Sequence, residues 1–227
     1  FAAIARIRQL AQVHRGASRI VQARAEKPLE IMFVRPFFER GSIRQRAPCP
    51  GWRLLWKPPV PGGRRFRPGA AGPARALLAA GHSVAAMSRS AGSDKVIRHM
   101  GVEPVRCDME SVSAEDIGSA DVVIHCAAFV DVWGPRDAWY RGNVLGTRAV
   151  LRAAEKAGVS RFIHIGTEAG IVHGQHIHGA DETYPLAPDS PYPYCATKAQ
   201  AEQLVLAANH SPAFTTLVLR PRFIWGP

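Results

Sequence analysis

The chain has 227 residues, 47% of them apolar and 21% charged, with four cysteines and a formal net charge of +11. That is enough for one sizeable core, but no run approaches the roughly 20 uncharged apolar residues that span a bilayer. No glycine period or sustained heptad supports a fibrous fold. Cys49, Cys107, Cys126 and Cys195 contain no CxxC pair, which fits reduced thiols in an intracellular compartment.

The charge is not spread evenly. Residues 1–75 hold 16 Lys/Arg against 3 Asp/Glu, a balance of +13, whereas 76–227 balance at −2. A nucleic-acid-binding reading therefore rests on the first third alone. Its arginines share no single face and interleave no aromatic platform, so no nucleic-acid partner is expected. Residues 4–27 are Arg-rich and acid-poor, like a mitochondrial or plastid transit peptide; otherwise a cytoplasmic location is expected. The chain begins at Phe1, so we expect its true start to lie upstream. Residues 47–73 carry seven prolines and no strand of normal length. We therefore divide the chain into a basic, irregular or mistranslated segment, 1–73, and a folded part, 74–227.

From Ala74 the pattern becomes regular. A helix ends over 74–80 with Gly81 as its stop, a strand spans 82–87, and a helix over 94–100 stops at Gly101. Strands follow at 102–107 and, as an almost continuous apolar run, at 121–127. A long amphipathic helix covers 136–157, with Tyr140, Val144, Thr147, Leu151 and Ala154 on its inward face and Gly158 at its end. A buried strand at 161–165, a helix at 194–209 and a strand at 214–219 complete the series. Strands alternating with such helices specify an α/β fold with a parallel, doubly wound sheet and right-handed crossovers. Ligands bind such sheets beyond the carboxyl ends of their strands.

The sharpest chemical feature is Tyr194-Cys-Ala-Thr-Lys198. A spacing of four on a helix sets a phenol and an ammonium on one face, one turn apart. A free tyrosine is a poor base at neutral pH; a cation within about 4–6 Å draws its pKa down. Tyr194 is then a candidate general acid/base with Lys198 tuning it. The strand at 161–165 delivers Gly166-Thr167-Glu168 to the edge that the Tyr194 helix faces.

These blocks, FIHIGTEAGIVHG (162–174), PYPYCATKAQAE (191–202) and LRPRFIWGP (219–227), together with HCAAFVDVWGP (125–135) and NVLGT (143–147), resemble the extended short-chain dehydrogenase/reductase family. The likeness is greatest to its 3-beta-hydroxysteroid dehydrogenase-like and NAD-dependent epimerase/dehydratase branch. It covers about 74–227 and implies a partial, Rossmann-like NAD(P)-binding domain. The implied activity is an NAD(P)-dependent oxidoreductase acting on a CH–OH group; a sugar-nucleotide epimerase or dehydratase is the alternative. A non-catalytic fragment with a basic nucleic-acid-binding or targeting N-terminus is a third reading. The resemblance implies that Thr167 orients the substrate oxygen, that Tyr194 moves its proton, and that Lys198 holds the nicotinamide ribose. It places Asp108 at the adenine amine, Cys126, Ala127 and Ala128 beside the cofactor, and Pro221 to Ile224 near the carboxamide. Asn143 is read as a structural bond-maker.

Where NAD-selective relatives carry an acid, this chain has Ser88-Arg89-Ser90. A guanidinium and hydroxyls suit a 2′-phosphate, but an arginine at a strand end can equally be only solvated, so NADP or NAD is expected. Trp133, Trp139 and the apolar loop before them suit a hydrophobic, steroid-like alcohol or ketone, and the family pattern allows a homodimer. His173, His176 and His178 lack a matched carboxylate or thiolate cluster, so no metal is expected.

The likeness breaks at the first strand and its glycine turn, whose amides meet a pyrophosphate. Counting back from Gly81 puts the three glycines at positions held by Arg64, Arg67 and Ala70. Arginines cannot give the close backbone approach of glycine. If the arginine codons of GGRRFRPGA are CGG, a one-base shift would read Gly-Gly-Phe-Gly-Arg-Ala, so a frame change is one explanation. We expect a garbled or missing first strand, which would expose the edges of the Val84 and Val123 strands. At Pro227 the likeness stops short of the substrate lobe, which is expected to be truncated.

Overall fold

The structure is a computed structural model that describes residues 71–130 and 134–222, with two further short strands at 31–35 and 53–54. Its elements, in order, are β1 (Ile31–Arg35), β2 (Arg53–Leu54), α1 (Ala71–Ala79), β3 (Ser83–Ser88), α2 (Ala91–His99), β4 (Glu103–Arg106), α3 (Ala114–Ile117) and β5 (Val122–His125). Then come α4 (Arg136–Trp139), a π-helical turn (Tyr140–Leu145), α5 (Gly146–Lys156), β6 (Arg161–Ile165), a 3-10 turn (Glu168–Ile171), α6 (Pro193–Ala207) and β7 (Thr215–Leu219). The sheet order is β4-β3-β1-β5-β6-β7. The pairs β3–β4, β5–β6 and β6–β7 are all parallel.

The slot between β3 and β5 is not left empty. β1 fills it in the antiparallel sense, Val34 opposite Val84 and Phe33 opposite Val123, which corrects the expectation of exposed edges there. β2 registers in the parallel sense against the same β5 residues, Val123 and Ile124. The other edge of β5 belongs to β6. Parallel strands cannot satisfy both faces by themselves, and here helices cover each. Ala85, Met87, Val123 and Phe162 pack on Val150, Leu151, Ala154 and Val205 of α5 and α6. The alternate residues Val84, Ala86, Val122, Ile124 and Ile163 pack on Ala74 of α1 and Ile97 of α2. The period-two alternation of each strand therefore feeds two cores, one per face.

Helix ends follow local chemistry. Ser90 caps α2 by accepting from Ser93 N at 3.2 Å, so α2 starts three residues before the expected Asp94. Gly158 stops α5 with φ +72°, a conformation that costs a side-chain-bearing residue dearly. The expected single helix over 136–157 is broken in phase by the π-helical turn, which inserts residues into the 3.6 repeat. Val144, Thr147, Leu151 and Ala154 face inward as the pattern implies, but Tyr140 is 41% exposed and Trp139, at 5%, takes its place.

Candidate active site

The candidate residues collect at the carboxyl ends of the parallel strands. β6 is followed by Gly166, whose N donates to Leu219 O at 2.7 Å. A Cβ there would come within 3.0 Å of Val218 Cγ1 and 3.2 Å of that carbonyl, so a side chain at this point would press β6 and β7 apart. Thr167 then caps the 3-10 turn, its Oγ1 accepting from Ala169 N at 3.2 Å. Glu168 N donates to Pro221 O at 3.3 Å, which brings the chain after β7 alongside.

Tyr194 lies in the first turn of α6, where Pro193 is tolerated because its missing N–H has no helical partner to lose. Burial pushes its phenol above the ordinary value; the nearby Thr167 hydroxyl pulls it back, and Cys195 and Glu168 push it up further. Lys198 is one turn on and 2% exposed. Its Nζ donates to Ile165 O at 3.0 Å and lies 3.3 Å from His164 Nε2. Burial draws this ammonium down to about 8, against the opposing pull of Glu202 and Cys126. The expectation that Lys198 lowers the Tyr194 pKa is thus corrected: burial governs the phenol, and the ammonium is turned toward the strand end.

Asn143, delivered inward by the π-helical turn, joins the loop after β5 to α6. Its Oδ1 accepts from Phe129 N at 2.6 Å, and its Nδ2 donates to Phe129 O at 3.2 Å and Thr197 Oγ1 at 3.1 Å. Cys126 and Ala128 are half-buried and Ala127 fully buried in the stretch after β5.

At the other end of the sheet, Ser88 is fully buried, its hydroxyl facing Asp94 and Ser90 O rather than the cleft. Arg89 is exposed, with Nη1 3.3 Å from Asp108 Oδ2, while Asp108 Oδ1 accepts from Glu110 N at 3.1 Å. Arg106 pairs with Asp94. Ile224 and Trp133 lie outside the described residues. His173, His176 and His178 are exposed on a loop, with His173 3.7 Å from Asp189.

Sequence reasoning passed over His164 and Glu202, which embrace Lys198. Glu202 repeats the four-residue spacing of Tyr194 and Lys198, a signal that was present; His164 had none, because only strand–helix packing brings it to Lys198. A phenol, an ammonium and a hydroxyl at one end, and a guanidinium with a carboxylate at the other, fit the two ends of a dinucleotide. The turn that would meet its diphosphate lies outside the described residues.

Fold and site together define a short-chain dehydrogenase/reductase. The chain belongs to the 3-beta hydroxysteroid dehydrogenase/isomerase family, whose profile matches residues 84–227. It is 44% identical over 154 residues to the 4-hydroxy-2-methyl-3-oxo-4-farnesyl-3,4-dihydroquinoline-1-oxide ketoreductase of Stigmatella aurantiaca, covering 66% of this chain and 46% of that one. A 2-alkyl-3-oxoalkanoate reductase of Stenotrophomonas maltophilia is 38% identical, with 67% and 47% covered. Among solved structures, a short-chain dehydrogenase/reductase superfamily protein from Agrobacterium tumefaciens with bound NAD is 31% identical. Its TM-score is 0.55, over 67% of this chain and 47% of that one. The chain spans about half the length of the curated relatives it matches. No helix among the described residues is long and apolar enough to cross a membrane.

Proposed function

We propose that this chain carries the cofactor-binding and proton-transfer part of an NAD(P)-dependent oxidoreductase that interconverts a secondary alcohol and a ketone. The observation that carries this reading is the convergence of Thr167, just after β6, and Tyr194, in the first turn of α6, with Lys198 one turn further along the helix of Tyr194. The nicotinamide, when bound, supplies or accepts the hydride at its C4. This chain's residues handle the proton and the geometry. Thr167 donates to the substrate oxygen and orients it toward the phenol. Tyr194 is kept protonated at neutral pH by burial, so it serves best as the acid that completes a ketone reduction. Lys198 supplies a cation beside the ribose. Asn143 fixes the loop after β5 against α6, so the cleft wall and the tyrosine move together.

The ketoreductase and the 2-alkyl-3-oxoalkanoate reductase are both named for 3-oxo compounds. Another relative is a sterol-4-alpha-carboxylate 3-dehydrogenase of Saccharomyces cerevisiae. These names support an apolar, steroid-like ketone or alcohol as the substrate class. Arg89 supports NADP, since a charged 2′-phosphate is a stronger partner for a guanidinium than a neutral hydroxyl. The test is turnover of a hydrophobic 3-oxo compound with NADPH by the full chain, alongside Tyr194→Phe. The variant should bind NADPH as the parent does, monitored by fluorescence, and lose turnover. Retained turnover rejects the assignment.

A further inference from the structure

Polar rings in the core of a sheet call for a reason, and here two stand side by side. His125 of β5 and His164 of β6 are cross-strand partners in register, both 0% exposed, on the face that otherwise packs Val123 and Phe162. An apolar pair there would bury no polar atom. Instead each histidine buries an Nδ1 that has no partner among the described residues, which destabilises the fold. Each spends its other ring nitrogen on a contact: His125 Nε2 lies 2.8 Å from Thr147 Oγ1, and His164 Nε2 lies 3.3 Å from Lys198 Nζ.

An ammonium only donates. His164 Nε2 is therefore the acceptor, and its ring is neutral with the proton on Nδ1. The orphaned Nδ1–H follows from the work done by Nε2. Lys198 Nζ has three N–H donors: one goes to Ile165 O at 3.0 Å and one to His164, which leaves one for a ligand. A lysine stem is flexible and a single acceptor would let it swing. Two acceptors on consecutive residues of β6 fix the nitrogen. Glu202 on α6, Cys126 after β5 and His125 also bear on the ammonium. They act on its charge, whereas the two bonds set its place.

We propose that His164 is a positioning residue for Lys198, holding the ammonium at the carboxyl end of β6 with one N–H left for the ribose of the cofactor. His164 is itself fully buried and meets neither cofactor nor substrate. The ribose rests on the NAD(P) reading above; the hold on the lysine does not.

The experiment separates shape from hydrogen bonding at position 164 in the full chain. His164→Gln keeps an acceptor, while His164→Leu fills the site and keeps none. By fluorescence titration, NADPH and NADH should bind the glutamine variant within about twofold of the parent. The leucine variant should bind both about tenfold more weakly, since a hydrogen bond to a charged group has gone. Without cofactor, the carbon-13 signal of Lys198 Cε, assigned by difference from Lys198→Met, should titrate near 8 in the parent. That midpoint should fall by about one pH unit in the leucine variant and stay near the parent's in the glutamine variant, because an accepted bond favours the charged amine. A packing role gives the reverse order. A leucine variant with the parent's midpoint or the parent's affinity overturns the proposal, as does an equal loss in both variants. Nitrogen-15 shifts of the parent need no variant: they should show His164 neutral with its proton on Nδ1, and the opposite tautomer, which cannot accept from the ammonium, overturns it too. A parent that binds neither cofactor overturns the proposed function instead, and the lysine titration then still decides whether His164 holds Lys198.

Discussion

Lys198 Nζ and His164 Nε2 lie 3.3 Å apart, a contact between α6 and β6 in which both side chains are buried. Behind them the His125 ring stands 5.1 Å from that of His164, and His125 Nε2 is 2.8 Å from Thr147 Oγ1. A polar column therefore crosses the otherwise apolar face of the sheet, from the helix that carries Tyr194 to α5. Its Nδ1 atoms, on both histidines, are buried without a partner. Such a column fixes the lysine, and its cost is paid in stability.

That cost depends on pH. Burial holds His125 down to about 3 and His164 well below 6.5, with the Lys198 charge acting in the same sense on both. The unfolded chain binds protons on these rings below about 6.5, while the folded chain does not, so stability falls as pH drops through this range. Each histidine should remove about 2 kcal/mol between pH 6.5 and about 5. Urea unfolding at about pH 7 and pH 5 measures it. His164→Gln, which keeps an acceptor for Lys198 but does not titrate, should halve the slope; an unchanged slope would refute the neutral-histidine account.

Asn143 makes the next prediction. It is 1% exposed, and Asn143→Ala takes their side-chain partner from Phe129 N and Phe129 O and a donor from Thr197 Oγ1, which keeps its own bond to Pro193 O. Unpaired buried groups cost more than the bonds that once satisfied them contribute, so the loss should be about 3 kcal/mol, seen as a lower urea midpoint with an unchanged slope. A loss under about 1 kcal/mol would mean that water replaces the amide.

Arg89 makes a prediction about cofactor choice. Its guanidinium is exposed and its carboxylate partner among the described residues, Asp108, is half-exposed, so a surface pair of this kind is worth little and can be exchanged. Arg89→Ser should weaken NADPH binding about tenfold and leave NADH within about twofold, since only the former carries the 2′-phosphate. Fluorescence titration with both cofactors reads the ratio. An equal loss for both would assign Arg89 to the adenine instead.

Much of this architecture is legible in the sequence, because it rests on local rules. The strand at 161–165 has the bounds that its apolar run predicts, and Gly158 stops its helix where a left-handed residue is needed. What escapes is set by phase and by tertiary pairing. The face of 136–157 was counted at 3.6 residues per turn, and a π-helical turn breaks that count without any composition signal of its own. Gly142, in that turn, has room for no Cβ: one would sit 2.8 Å from Phe129 Cβ. The run Ile31–Arg35 is apolar enough to pair, but its Arg- and Pro-rich surroundings hid it, and nothing local dictates its antiparallel direction. At the site, the Tyr194–Lys198 spacing was readable, whereas the preference of Lys198 for His164 over the phenol depends on a strand 34 residues away.

Glu202 and Arg220 yield the last prediction. Arg220 Nε donates to Glu202 Oε1 at 2.7 Å, with the carboxylate side chain 3% exposed and the guanidinium 18%. The pair ties α6 to the end of β7 one turn beyond Lys198, and its carboxylate holds the Lys198 pKa up against burial. Removing either partner breaks a largely buried pair, so Glu202→Gln and Arg220→Ala should each cost about 3 kcal/mol. The double change should cost less than their sum, because the Glu202–Arg220 attraction is counted in both single losses. Glu202→Gln should also lower the Lys198 pKa below about 8, which leaves part of the lysine population neutral at physiological pH. Cofactor affinity in that variant should therefore fall as pH rises through 7, at a lower pH than in the parent. Additive single and double losses, or a pH profile that does not move, would show that the pair is a surface contact without influence on the lysine.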